Sequence, residues 1–392
     1  MLEQVLAILM FSLRTVPQRL GSVLTAVFGI TGVVMVMVGV LSIGEGYKKT
    51  MKASGDPAVA MVLRSGADTE MMSGLSRQDT RIIKDHPAIK QVDGTPAAAA
   101  ELFVIINLPK RGTGTDANVP LRGIQPQSYA VREKFEMLEG RFFEPGRNEL
   151  IVGRGAVGQF EVELGKEIQV GANRWKIVGV FAEGGGVAES EMWTDAGVLQ
   201  SAYRRGDTFQ SMYIKLEDAA RFTAFKSELI RDPRLRVKVM RQTDYYAEQS
   251  RTITTLVTAL GAIIGTLMAA GAVFSAVNTM VTAVAARGRE IATLRAIGFH
   301  RVPIVLSILV ESTLLALAGG LIGGFIAYLL FDGFRTATMN FQSFSQVTFA
   351  FEVDAGLLAM GVFYSTVIGL IGGLLPAVQA VRSPVADALR SE

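Results

Sequence analysis

Residues 252–286 read TITTLVTALGAIIGTLMAAGAVFSAVNTMVTAVAA, 35 consecutive positions without a charge, bounded by Arg251 and Arg287. A helix rises about 1.5 Å per residue, so roughly 20 apolar residues cross a bilayer core. Three other runs resemble this one. Residues 20–44 hold 25 uncharged positions between Arg19 and Glu45, and 355–381 hold 27 between Asp354 and Arg382. Residues 302–331 carry one charge, Glu311. Four helical spans follow. As buried helices of a water-soluble protein these runs would far exceed the usual length of about 10–14 residues.

Composition agrees. The 392 residues are 49% apolar and 19% charged, with a mean hydropathy of +0.34, against about 25% charge in soluble domains. The net charge of +3 hides a near balance in 45–251, which holds 30 basic and 28 acidic side chains. No basic stripe stands out, so no nucleic-acid partner is expected. The chain has no Cys, which excludes disulfides and thiol chemistry. The first apolar run follows Arg14 and Arg19, exceeds a signal-peptide core, and leads into Ser42-Ile43-Gly44-Glu45-Gly46 without a small-residue cleavage site. It reads as an uncleaved anchor.

Topology follows from short-loop basic charge. Arg14 and Arg19 precede the first span, and 287–301 carries Arg287, Arg289, Arg295 and Arg301 against Glu290 alone. Both termini and that loop are therefore expected in the cytoplasm, and 45–251 outside. The expected divisions are a cytoplasmic or interfacial helix at 1–19, a first span at 20–44, an extracytoplasmic domain at 45–251, and a second span with extensions at 252–286. An inner loop at 287–301, a third span at 302–331, a short external loop at 332–354, a fourth span at 355–381 and a cytoplasmic tail at 382–392 complete the chain. Residues 3–13 form an amphipathic candidate, either lying along the inner surface or starting the first span early.

The external segment has the pattern of a mixed α+β domain. Ala58–Leu63, 97–108, 148–153, 167–181, 213–216 and 235–240 have strand character. Residues 76–85 predict a helix with Ile82 and Ile83 inward, stopped before Pro87, and 218–231 predict another. Lys110–Asn118 is rich in turn residues and is read as a divide between two subdomains. The fold class is thus four transmembrane helices with a large α+β extracytoplasmic domain inserted between helices 1 and 2.

A search for catalytic chemistry finds little. His86 and His300, assigned to opposite sides, cannot pair, and neither His-Glu-x-x-His nor Gly-x-Ser-x-Gly occurs. Gly184-Gly185-Gly186 lacks the Lys and Ser/Thr of a phosphate loop and reads as a turn. No catalytic residue, metal or cofactor is expected in this chain, and no ATP hydrolysis by the chain itself.

The loop ARGREIATLRAIGFHR, residues 286–301, places Ile291, Leu294, Ile297 and Phe299 at helical spacing, with Gly298 as a C-terminal break. Pattern alone leaves two readings open. One is a docking helix that offers apolar side chains and charges to a soluble partner. The other is a basic loop held by anionic lipid at about 1 kcal/mol per cation. Glu311 lies about ten residues into the third span, where a carboxylate costs roughly 2.5–3.5 kcal/mol and must face protein or water. With no second intramembrane acid or histidine, a hydrogen bond to another helix or to the inner-loop segment outranks a proton relay. Gly261 and Gly265, Gly319 and Gly323, Gly320 and Gly324, and Gly369 and Gly373 are four apart and suit close helix packing. Pro376 is expected to end or kink the fourth span.

Three stretches carry a family resemblance: LSIGEGYKK at 41–49, REIATLRAIGFHRVPIVLSILVESTLLALAGGLIGG at 289–324, and GLLPAVQAVRSPVADALR at 373–390. With LEGRFFEPGRNELIVG at 138–153 and LGKEIQVGANRWKIVGVF at 164–181, the chain resembles the FtsX-like permeases, particularly exporters of the MacB and DevC kind. The resemblance covers essentially the whole chain. It implies the permease part of an ATP-binding-cassette transporter in a bacterial inner membrane, with a second permease copy, identical or related. It also implies that 287–301 is a coupling helix seated on an ATPase, its motif falling on Arg287, Arg289, Glu290, Ile291, Leu294, Arg295, Ala296 and Gly298. The family's early third-span glutamate falls on Glu311. Exporters of the MacB kind carry their ATPase ahead of the first span; this chain starts almost at it, so the ATPase, with its ATP and Mg, is expected on a separate polypeptide.

The expected mechanism is mechanotransmission: motion generated by the ATPase reaches the external domain through the spans and drives efflux of a drug, peptide or lipid-like cargo. A periplasmic adaptor, with 110–117 as its contact, an outer-membrane channel and membrane lipids complete the expected partners. Two alternatives are extraction of lipoprotein or lipid from the outer leaflet, and a cell-division or signalling role that regulates an external hydrolase.

Overall fold

The computed structural model describes residues 20–382. The helix expected within 1–19, the amphipathic segment 3–13 and the tail beyond Arg382 lie outside the described residues. Two compact units emerge. One comprises 20–45, 256–334 and 351–382; the other comprises 46–255 and 335–350.

The first unit is helical. It draws on α1 (Leu20–Ala53), which is followed in the chain by the elements of the second unit. Among the described residues, four helices are long and apolar enough to cross a membrane, as the four apolar runs predict. Glycines set how closely they pack. A Cβ on Gly319 would lie 2.9 Å from the Val27 carbonyl, and one on Gly323 2.6 Å from that of Thr31. This face therefore belongs to α1, where Thr31 Oγ1 donates to the Gly319 carbonyl at 3.1 Å. A Cβ on Gly320 would meet Ser365, and one on Gly373 would meet Ser312, between the third and fourth spans. Gly369 meets Ala316, Gly324 meets Leu358, Gly261 meets Leu41 and Gly265 meets Met37. The paired glycines thus serve packing inside one chain. Pro376 does not end the fourth span, which continues to Arg382 with that proline buried inside it.

The second unit is a mixed α/β domain. In chain order its elements are β1 (Val59–Arg64), α2 (Arg77–Lys84), β2 (Ala98–Pro109), β3 (Asp116–Ile124), α3 (Gln127–Val131), β4 (Phe135–Gly140), β5 (Glu149–Gly153), α4 (Arg154–Gln159), β6 (Glu167–Val170), β7 (Asn173–Glu183), β8 (Met192–Asp195), α5 (Ala196–Ala202), β9 (Ser211–Lys215), α6 (Phe222–Arg231) and β10 (Val237–Arg241). One ten-stranded sheet runs β10-β1-β9-β2-β3-β8-β5-β7-β4, with β6 paired to β7. Most neighbours are antiparallel, while β8 with β3 and β5 with β7 are parallel. Helix α2 starts in a capping box in which Ser76 and Asp79 satisfy each other's backbone, and it buries Ile83 fully and Ile82 partly.

The core has two main centres. Ala60, Val62, Ile83, Met212, Ile214 and Phe225 form one, and Leu102, Val104, Leu121, Trp175, Ile177 and Met192 form the other. Phe181 stacks on Trp193 at 4.2 Å beside Phe135. Lys110–Asn118 corrects the expected subdomain divide. Residues 110–115 form the turn of the β2–β3 hairpin and 116–118 open β3, the register running unbroken from Leu102↔Gly123 to Pro109↔Asp116. A hairpin connects the two strands more simply than a domain boundary would.

The remaining elements are α7 (Gln242–Ala286), α8 (Gly288–Ala296), α9 (Arg301–Phe331), β11 (Arg335–Asn340), β12 (Ser345–Ala350) and α10 (Ala355–Arg382). The stretch 332–354, expected as a short external loop, holds the β11–β12 hairpin, whose residues 335–350 belong to the second unit. Asn340 Nδ2 donates to Gln249 Oε1 at 2.7 Å, the Thr348 amide donates to Ser190 Oγ at 2.8 Å, and Asn118 Nδ2 donates to the Phe344 carbonyl at 2.7 Å. Val347 and Phe349, two apart on one face of the strand, are buried.

Candidate coupling site

The segment 287–301 folds as a short helix between two spans. After α7 ends at Ala286, Arg287 turns the chain with φ −106° and ψ 13°. Helix α8 places Glu290 in its first turn and Arg295 in its last, the arrangement favoured by the helix dipole. Gly298 follows in the left-handed region at φ 106°, and the Phe299 amide reaches back to the Leu294 carbonyl at 3.0 Å. Only glycine takes that turn without strain.

Arg287 joins two elements. Its Nε lies 3.3 Å from Glu290 Oε2 on α8, and its Nη1 lies 3.3 Å from Glu311 Oε2 on α9. Glu311 is 1% exposed. A buried carboxylate needs a charged or hydrogen-bonding partner, and losing one partner of such a pair typically costs about 3–5 kcal/mol. The intramembrane acid of the third span is thus tied to the first residue of the inner loop. A cavity of about 30 Å³, near the size of one water, lies among Arg287, Glu290, Ile291, Leu294 and Glu311.

The faces of α8 differ from the simplest sequence reading. Ile291 packs against Met280, Ile304, Ile308 and Val381, and Ala292 is buried. Leu294 lines the cavity. These apolar side chains therefore hold α8 to its own spans. The outward stripe is Arg289, Thr293, Ala296 and Ile297, all exposed, with Ile297 at 72%. Their spacing of four, three and one keeps them on one side of the helix.

A second cluster, in the external unit, escaped the sequence reading. Arg122 is 2% exposed and bonds three carboxylates. Its Nη1 is 2.7 Å from Glu70 Oε1 and 3.1 Å from Glu101 Oε2, and its Nε is 2.7 Å from Glu191 Oε2. Arg132 grips Glu101 through two bonds of 2.6 and 2.7 Å. Burial pushes the Glu101 carboxyl up, but the guanidiniums of Arg132 and Arg122 outweigh it and hold the pKa below the usual range. Ser211 Oγ donates to Glu70 Oε1 at 2.6 Å. The available signal was a lone charge inside an apolar strand: Glu101 after four alanines, and Arg122 in NVPLRGI.

Residues 23–232 match the MacB-like periplasmic core domain, and residues 262–385 match the FtsX-like permease C-terminal domain. An uncharacterised ABC transporter permease of Bacillus subtilis, YknZ, is 25% identical over 95% of this chain and 96% of its own length. The macrolide export ATP-binding/permease protein MacB of Bdellovibrio bacteriovorus is 24% identical over 94% of this chain and 59% of its own. The chain therefore spans about six tenths of that fused relative. The solved periplasmic region of MacB from Actinobacillus actinomycetemcomitans aligns with a TM-score of 0.37 and 13% identity, over 54% of this chain and 97% of that one.

Proposed function

We propose, from the premise that this chain belongs to the FtsX-like ABC transporter permeases with a MacB-like periplasmic core domain, that it carries ATP-driven motion to its external domain. A separate cytoplasmic ATPase binds ATP and Mg and docks on the exposed stripe of α8. A second permease copy completes the transporter in the inner membrane, with both termini cytoplasmic. A periplasmic adaptor and an outer-membrane channel extend the route outward. The cargo is a drug, peptide or lipid-like molecule already on the outer side.

The observation that carries this reading is the double engagement of Arg287, with Glu290 on α8 and Glu311 on α9. Movement of α8 is thereby imposed on a span and not absorbed by a slack loop. Helices α1 and α7 each contribute residues to both compact units, so displacement along either has a continuous path to the external domain. Coupling of this kind needs two states that nucleotide biases differently.

The test uses the full chain purified from its native membrane. An ABC ATPase should co-purify, and Ile297→Asp should lower its recovery at least tenfold by placing a charge on the docking stripe. Arg287→Ala should leave recovery unchanged but abolish the ATP-dependent signal of a fluorophore at residue 113 of the external domain. Full recovery with Ile297→Asp, or an undiminished signal with Arg287→Ala, refutes the respective role.

A further inference from the structure

Where the apolar runs 20–44 and 252–286 meet the external domain, α1 and α7 continue as polar helices. Lys48 and Lys52 stand one turn apart on α1. Thr243, Ser250, Arg251 and Thr254 share one face of α7. These six line an open groove of about 360 Å³, within the range of roughly 300–1,000 Å³ typical of small-molecule sites. No carboxylate lines it.

The buried cations of this unit are met by acids: Lys215 by Asp56 and Glu133, and Arg122 by Glu70, Glu101 and Glu191. Lys52 and Arg251 form no ion pair with any described residue. Asp244 and Glu248 lie on α7 one position along from the lining stripe and do not enter it. The sidedness is also unexpected, because Lys and Arg of membrane proteins gather on the inner side. Cations that merely snorkel from a span's end require neither a concave site nor shared hydroxyls.

A hydroxyl gives a second, independent pointer. Threonines inside helices commonly bond the carbonyl four residues back, as Thr266 does to Ala262 and Thr282 to Asn278. Thr254 is among the residues lining the groove, and its Oγ1 is buried with no hydrogen-bond partner among the described residues. Point charges, a guanidinium fork and an unused hydroxyl, approaching from two helices, suit a tetrahedral anion with several acceptor oxygens.

We propose that this groove binds the phosphate of an anionic phospholipid headgroup from the outer leaflet. The site rests on the reading of the flanking runs as spans and is independent of the ATPase. Its failure would leave the coupling role intact, and the converse also holds.

The experiment reconstitutes the full chain in nanodiscs of mixed phosphatidylglycerol and phosphatidylcholine and measures by native mass spectrometry which lipid stays bound after extraction. Phosphatidylglycerol should be retained selectively. At about fivefold per cation, Lys52→Gln/Arg251→Gln should weaken retention roughly 25-fold. Lys52→Arg/Arg251→Lys should keep most of it, and Lys226→Gln/Arg231→Gln, two exposed cations on α6, should leave it unchanged. A parallel arm offers glycerol 3-phosphate to protein held in phosphatidylcholine alone. Binding there that the Lys52/Arg251 variant loses, without lipid selectivity, supports the phosphate site and assigns it to a water-soluble molecule. Equal retention of both lipids with no glycerol phosphate bound overturns the proposal, as does undiminished phosphatidylglycerol in the glutamine variant.

Discussion

Glu183 ends β7 with its carboxyl buried in the external domain. Burial raises its pKa to about 7; Glu191 and Glu189 add to the rise, while Arg132 and Lys134 oppose it. Between the ordinary 4.5 and about 7, the folded chain keeps a proton that the unfolded chain has released. Stability therefore falls as pH rises through that window, by an amount on the order of 3 kcal/mol. Glu183→Gln, which cannot ionise, should match the parent near pH 4.5 and melt higher at pH 8. Thermal unfolding at the two pH values checks this, and an equal change at both would mean that ionisation is not the cause.

Among the elements, helix packing gives the sharpest expectation. A Cβ at Gly323 would strike the Thr31 carbonyl of α1, which is backbone and cannot swing aside. A Cβ at Gly324 would meet only the end of the Leu358 side chain, at 3.3 Å. Gly323→Val should cost about 2 kcal/mol through overpacking and lower the melting temperature by about 5 °C, whereas Gly324→Ala should be nearly neutral. Comparable melting of both variants would contradict the packing described. The spans were legible because uncharged runs of 25, 35 and 27 residues suit a bilayer core and outrun ordinary buried helices. Their extent was less so. Helix α1 continues nine residues past Gly44 to Ala53, with Gly46 tolerated inside it and no proline until Pro57. The β11–β12 hairpin was illegible: its alternation, SQVTFA, lasts six residues. The Arg122 cluster was hidden for another reason. Its partners lie 52 and 69 positions away in sequence, at Glu70 and Glu191, and only the sheet brings them together. Of the inner loop, residue types and helical spacing were readable, but which face turns outward depended on the flanking spans.

At the scale of the molecule, the two units are assigned to opposite chemistry, one to lipid and one to water. The chain's lack of cysteine makes that division directly measurable. Thr113→Cys, in an exposed turn, should react with a membrane-impermeant maleimide on intact spheroplasts; Ile297→Cys should react only after permeabilisation. Labelling of both from the same side would remove the transmission path altogether. The hairpin at 335–350 has a separate bearing on how this protein can be handled. Because the external unit is woven from two stretches of chain, a gene fragment cut at 46 and 255 would produce a truncated domain with Gln249 and Ser190 stripped of their hairpin partners and the seat of Val347 and Phe349 laid open. A recombinant fragment meant to represent it in solution should carry residues 335–350 grafted back through a linker.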